Sequence, residues 1–467
     1  METSKNTNNI FLNKHLMLVP TLLLLMPLAA CSVPESVRET FKTPLSWTSS
    51  QSTKVEAAKP TELSQWWKSF HDEQLNSLID QALAHSPDVK IAAAKIAETR
   101  GLFKTADAQL MPEVTAGAGA NRQRSLFLFP ITGNNGNADF DASYELDLFG
   151  KNRSAAQAAD AATRAAQGDY EWVKISLVAE VARNYIDMRA AEKQIRLAQK
   201  NLKTENETLE LVDRQHQAGG TSEFDKERTA LLVSQSQAQI ADYQRQKEVY
   251  GLSLMTLTGL SQEELATHLA GSAEIPAIDA RPAVLAPADV MANRPDILAA
   301  NARLEEATSL TKSEAASVFP TISVGGMFGI AKTALVNTTS VWTIGANAAV
   351  SVLDFGRIQG RIDAASARET QAYELWRKSM LQAVQDVETS LTNVGRIQQQ
   401  RVSLEHARDH ATRAFSLAQV RYKAGDTSLL DVLDAQRQVI ESDSQLINTE
   451  AQYAAAVIAL YKALGQY

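Results

Sequence analysis

The sequence predicts a mainly α protein carrying four β-strands, built as two tandem copies of one fold. Three observations predict this class. Landmark residues recur at an offset of 206 to 208 positions. Two helical runs of 60 to 70 residues carry regular apolar spacing, and two segments of about ten residues alternate strictly between apolar and polar side chains.

The amino end reads as an export signal. Lys14 precedes an apolar run from Leu16 to Leu28, broken only by Pro20, Thr21 and Pro27. At 13 residues the run is short for a membrane span and has the length of a secretory core segment. It ends in Leu28-Ala29-Ala30-Cys31, which resembles a bacterial lipobox, where the cysteine is acylated and begins the mature chain. Residues 1–30 are therefore expected to be a signal peptide and Cys31 a lipidation site; an ordinary signal with an unrelated cysteine is the alternative. Ser32, in place of Asp, suits the outer membrane. Residues 31–64, rich in Ser, Thr and Pro, read as a lipidated tether.

The rest of the chain repeats itself. Ser86-Pro87-Asp88 recurs as Arg294-Pro295-Asp296, and Met111-Pro112 as Phe319-Pro320, both 208 residues on. Leu148-Phe149-Gly150 recurs as Asp354-Phe355-Gly356, and Ala218-Gly219-Gly220-Thr221-Ser222 as Ala424-Gly425-Asp426-Thr427-Ser428, both 206 on. At that offset Asp225 matches Asp431 and Gly259 matches Gly465. The copies are placed at residues 65–258 and 288–467, joined by a Pro- and Ala-rich linker over 259–287.

Each copy opens with a helical stretch, about 70–110 and 288–318, that stops at a proline, which cannot continue a helix there. Hairpins follow at about 113–149 and 321–353. A very long helix then runs from Gly150 to about Ala218 and from Gly356 to about Ala424. A glycine break at Gly219 or Gly425 leads into a last helix of about 35 residues.

In the strands Ala138, Phe140, Ala142, Tyr144, Leu146 and Leu148 alternate with Asp139, Asp141, Ser143, Glu145 and Asp147. Trp342, Ile344, Ala346, Ala348, Val350 and Val352 alternate in the same way with Thr343, Gly345, Asn347, Ala349 and Ser351. This suits a transmembrane strand facing lipid on one side and a lumen on the other, and equally a soluble amphipathic hairpin. Four strands close no barrel, and lipid tolerates no open edge. Either the hairpins are soluble or several chains pool their strands.

The long helices carry packing seams. Val432, Val439, Leu446, Tyr453 and Leu460 lie seven apart, each followed three positions on by Ala435, Ser442, Thr449, Ala456 or Ala463. Such a heptad calls for coiled-coil packing with close helix approach. In the preceding helix Trp376, Met380, Val384, Val387, Leu391 and Val394 form a similar stripe. A continuous helix of that length reaches about 100 Å.

Composition and motifs argue against chemistry. Lys+Arg 46 against Asp+Glu 54 gives a net charge of −8, unlike a nucleic-acid binder. One cysteine makes no internal disulfide and no multi-cysteine metal site. No phosphate loop, Gly-x-Gly-x-x-Gly, His-Glu-x-x-His or nucleophile elbow occurs, and His406 and His410 read as a solvated helix face. An enzyme, a metal site and a cofactor other than the lipid on Cys31 are not expected.

The element order, the duplication, the lipobox and the string from Arg421 to Ala435, above all Gly425-Asp426-Thr427-Ser428-Leu429-Leu430-Asp431-Val432-Leu433-Asp434-Ala435, resemble the TolC/OprM-type outer-membrane efflux factors. Within them the chain is most similar to the lipoprotein branch of NodT-like subunits. The resemblance implies a homotrimer whose strands close one 12-stranded barrel above a helical periplasmic tunnel. It also implies a periplasmic adaptor and an inner-membrane pump of the RND type as partners. It places Asp225, Tyr422, Asp431 and Asp434 at the closed aperture, with Gly219 and Gly425 as the helix-turn glycines. The pattern departs at Thr427, where the best-known member carries an arginine. Read from the residues alone, Thr427 caps the last helix and Asp431 sits in its first turn. The expected function is a passive exit duct for drugs or other small toxic solutes. A duct for a secreted protein, or a poreless structural lipoprotein, are the alternatives.

Overall fold

A computed structural model describes residues 42–49, 56–58, 64–126, 130–271, 274–278, 282–333 and 336–467. The signal run and Cys31 lie outside the described residues. In chain order the elements are β1 (Glu56–Ala57), a 3-10 turn (Trp66–Phe70), α1 (Glu73–His85), α2 (Pro87–Ala108), β2 (Glu113–Leu126), β3 (Pro130–Leu146), α3 (Lys151–Gln217), α4 (Glu223–Thr258) and α5 (Gln262–His268). Then come β4 (Ala283–Val284), α6 (Pro287–Asn293), α7 (Pro295–Ala316), β5 (Thr321–Lys332), β6 (Thr339–Ala349), α8 (Arg357–Ala424) and α9 (Leu429–Ala463).

Two expectations change in detail. The first helical stretch of each copy is two helices, because a proline pushes the residue before it out of the helical region. Ser86 (ψ 129°) therefore separates α1 from α2, and Arg294 (ψ 121°) separates α6 from α7. The stretch read as a tether is also fastened at two places. β1 pairs in parallel with β4, and the indole of buried Trp47 donates to the Leu285 carbonyl at 2.7 Å. The backbone N–H groups of Thr48 and Ser49 donate to the Glu388 carboxylate at 2.7 and 2.9 Å.

Four strands form one antiparallel sheet in the order β2-β3-β5-β6. Glu113 lies opposite Ser143 in the first hairpin and Thr321 opposite Ala349 in the second. Moved by the offsets of 208 and 206 residues, the first register becomes the second. Ala116, Phe140, Phe328 and Trp342 lie in one row across all four strands. The three aromatic residues are 62 to 70% exposed. The next row, on the opposite face, is Thr115, Asp141, Met327 and Thr343. One face is therefore apolar and open, the other polar, and β2 and β6 are edges.

α3 packs along α2, α4, α7 and α9, while α8 packs on α7 and α9. A core lies at mid-length of α3, where Ile175, Val178, Val181, Ala182 and Ile186 are buried, as are Leu75, Leu78, Ile79 and Ala82 of the adjoining α1. Gly168 is required here: a Cβ on it would lie 2.8 Å from the Pro295 carbonyl and 2.9 Å from Ala299 Cβ. Buried Arg294 ties the carboxyl end of α9 to the start of α7. It donates to the Ala463 carbonyl at 3.0 Å and pairs with Asp296 at 2.9 Å and Asp386 at 2.7 Å. The heptad seam of α9 is buried at Val432, Leu446, Tyr453 and Leu460, and the α8 stripe at Met380, Val387, Leu391 and Val394. At 67 and 68 residues, α3 and α8 each reach about 100 Å.

Candidate functional site

The candidate site is the pair of turns at the carboxyl ends of the two long helices, where α3 passes into α4 and α8 into α9. Each long helix ends in a glycine with a left-handed backbone near its carboxyl terminus, Gly219 at φ 75° and Gly425 at φ 82°. Glycine adopts this conformation without steric cost, and it lets the chain reverse within a few residues.

Each following helix opens on the same device. Ser222 Oγ accepts from the Asp225 N–H at 3.2 Å, while the Ser222 and Thr221 hydroxyls donate to Asp225 Oδ2 at 2.7 and 3.1 Å. In the second copy Ser428 Oγ accepts from the Asp431 N–H at 3.3 Å. Asp431 Oδ2 receives the Thr427 hydroxyl at 2.6 Å, the Ser428 hydroxyl at 2.7 Å and the Ser428 N–H at 3.0 Å. The expected capping role of Thr427 is thus corrected. α9 begins at Leu429, so Ser428 is the N-cap residue, and its three-residue spacing to Asp431 makes a reciprocal capping box. Thr427 instead braces the carboxylate.

These hydrogen bonds stabilise the charged carboxylates. The Thr427 hydroxyl first, then Ser428, lower the Asp431 pKa to about 2. The Ser222 hydroxyl, then Thr221, hold Asp225 below the ordinary carboxylate value. Both turns therefore carry fixed negative charge at neutral pH.

The other expected residues take different partners. Asp434 is exposed and pairs with Arg437 at 2.6 Å, three positions along the helix. Tyr422 donates its hydroxyl to Gln215 Oε1 at 3.3 Å, joining the two copies at their turns. Gln215, Ser222, Ser428 and Arg437 were not singled out from the sequence. The Ser-x-x-Asp spacing at both turns is a signal that finds the two serines. Among the described residues no cluster of His, Cys, Asp or Glu could hold a metal ion.

A family profile described as outer membrane efflux protein matches residues 78–260 and again residues 286–466. The chain belongs to the outer membrane efflux protein family. The family is one of transport channels, and this member is an outer-membrane efflux duct. It is similar to the pyoverdine export outer membrane protein OpmQ of Pseudomonas putida, at 32% identity with 97% of each chain covered. The solvent efflux pump outer membrane protein SrpC of Pseudomonas putida is 31% identical, over 85% of this chain and 86% of its own length. Among solved structures, the outer-membrane channel OprN superposes with a TM-score of 0.86 at 26% identity, covering 92% of this efflux protein and 99% of that chain. The open state of the MtrE channel of Neisseria gonorrhoeae gives 0.76 at 26% identity, covering 92% and 94%.

Proposed function

We propose that this efflux protein works as a homotrimer whose twelve pooled strands close one barrel, with the long helices forming a periplasmic tunnel. Through it small toxic organic solutes leave passively, delivered by a periplasmic adaptor and an RND-type inner-membrane pump. The observation that carries this reading is the sheet: an apolar face bearing Phe140, Phe328 and Trp342, a polar face bearing Asp141 and Thr343, and two unpaired edges. Each backbone group left unpaired in hydrocarbon costs roughly 2–7 kcal/mol, so the edges require partners. The substrate class follows the relatives, whose names refer to pyoverdine export and to solvent efflux.

In the same reading Cys31 carries the lipid, residues 31–64 are the tether, and the duplicated copies span 65–258 and 288–467 about the 259–287 linker. Asp225, Tyr422, Asp431 and Asp434 line the closed aperture at the turns, where threefold symmetry gathers their charge. Capping and gating are compatible for the two capped aspartates, because a cap fixes the carboxylate without neutralising it.

Deleting the gene, in a host without redundant ducts, should sensitise cells to a broad panel of small toxic compounds. Unchanged tolerance across the panel would contradict efflux. Loss of one secreted protein instead would favour a protein-export duct. Radioactive fatty acid should label the wild type and miss Cys31→Ser; equal labelling would remove the anchor.

A further inference from the structure

At the first turn the ring of His216 reaches across the glycine break. Its Nδ1 lies 3.2 Å from the Thr221 carbonyl oxygen and its Nε2 lies 2.8 Å from the Glu223 carboxylate. A carbonyl and a carboxylate both accept, so each nitrogen has to donate, and a histidine ring carries two N–H groups only as the imidazolium. Two fields favour that cation, the Glu223 charge and the carboxyl end of α3, where His216 sits in the last turn. The ring spans a backbone loop in which the Gly219 N–H donates to the His216 carbonyl at 2.9 Å and the Gly220 N–H to the Gln215 carbonyl at 2.8 Å.

The second turn is built differently. Moved by 206 residues, His216 becomes Tyr422 and Glu223 becomes Leu429. The other charged groups around the ring are engaged elsewhere. On α3, Asp213 pairs with Lys226 of α4 at 3.0 Å, and Arg214 with Glu210 at 3.8 Å. On α4, Asp225 accepts from Thr221 and Ser222. On α8, Tyr422 donates to Gln215, and Arg421 donates to the Asp426 carbonyl at 3.4 Å. On α9, Asp431 is taken up in its own cap and Asp434 by Arg437.

We propose that His216, Thr221 and Glu223 form a proton-operated clasp that tightens the α3–α4 turn as its surroundings acidify. Histidine side chains change charge between about pH 5 and 8. With two protons the ring holds both acceptors. With one, a ring lone pair faces either the carbonyl or the carboxylate, and that contact opens. The stabilisation is therefore present at low pH and lost as pH rises, the sign required when the protonated form makes the contact. Two links carry the change further. The Thr221 hydroxyl donates to Asp225 Oδ2 at 3.1 Å, and Gln215, one residue before the ring, accepts from Tyr422 of the second turn. A clasped first turn thus steadies the Asp225 carboxylate and the tie between the turns. In the duct this favours the closed state at acid pH, a consequence that rests on the proposed aperture.

Amide exchange of the full-length protein in lipid nanodiscs, read by mass spectrometry in peptides covering Ala218 to Thr221, tests the clasp. Corrected for intrinsic exchange rates, wild-type protection should fall about fivefold between about pH 5.5 and pH 8. His216→Gln should lack that change. Glu223→Gln should keep its protection at the higher pH, because the new amide can donate to Nε2 of a neutral ring while Nδ1–H still donates to Thr221. Wild-type protection that ignores pH, or an equal fall in His216→Gln, would overturn the clasp. A wild-type-like fall in Glu223→Gln would overturn it too. Single-channel records in the same two buffers address the aperture separately. An open fraction that rises with pH in wild type and not in His216→Gln would extend the clasp to the gate. The expected exchange result with an unchanged open fraction would uphold the clasp and overturn the aperture assignment at this turn.

Discussion

Tyr422, near the end of α8, donates its hydroxyl to Gln215 of α3 at 3.3 Å. The two residues lie 207 positions apart, and their bond is a side-chain tie between the turns of the two copies. In the proposed tunnel, parting of the two turns would break it.

Tyr422→Phe deletes only that hydroxyl. A bond of this kind contributes about 1 kcal/mol, so the open state should gain about fivefold in population for each protomer that must break it. Single-channel records should show a longer fraction of time open. An unchanged fraction would mean that the tie does not restrain the turns.

The capping box at α9 makes a pH prediction. The folded pKa of Asp431 is lowered to about 2, below the ordinary aspartate value of 3.8. A depressed carboxylate adds stability above its unfolded pKa and loses it as pH falls through the folded value. Protection factors for amide exchange at Ser428 and Asp431, whose N–H groups the box holds, should therefore be lower in Asp431→Asn than in wild type at pH 5 to 7. The difference should close as pH approaches about 2. Ser428→Ala should cost the first turn about 1 kcal/mol at neutral pH. A difference independent of pH would show that the carboxylate charge is not what secures the turn.

Much of this fold was legible in the sequence because the repeat, the long helices and the alternating strands are each a periodic signal that accumulates over many residues. The seam from Val432 to Leu460 is of that kind, and so is the alternation through Phe140. Single-residue events were less legible. Ser86 and Arg294 break their helices through one backbone angle before a proline. Thr427 and Ser428 are chemically interchangeable as caps until the first residue of α9 is fixed. Trp47 and Glu388, in turn, meet distant segments that no local pattern links. At the turns the positions of Gly219, Gly425, Asp225 and Asp431 could be read from the repeat, whereas Asp434, whose counterpart is Arg228, could not. The Tyr422–Gln215 and Asp434–Arg437 pairs depend on side-chain geometry.

The two faces of the sheet should respond oppositely to charge. Phe140 and Asp141 are adjacent on β3 and point to opposite sides. Phe140→Arg should cost about 2–4 kcal/mol per chain if its row sits near the bilayer midplane, and should deplete assembled protein from outer membranes. Asp141→Asn should leave the amount unchanged. Equal depletion by both would contradict a lipid-facing apolar row.

The carboxylates at the turns should set ion selectivity. Asp431→Ala with Asp434→Ala removes six charges from a trimer and should weaken both cation preference and block by multivalent cations on the turn side. Cation preference and block measured at several salt concentrations should show the loss most clearly at low ionic strength. Wild-type block in the double variant would restrict these aspartates to the capping and pairing described above.

The conductance of the purified protein in planar lipid bilayers tests the duct most directly. A closed barrel over a helical tunnel predicts discrete, low, cation-selective conductance steps, larger or longer in Tyr422→Phe. Bilayers that stay insulating with wild type and Tyr422→Phe alike, at protein amounts that demonstrably insert, would contradict a conducting duct.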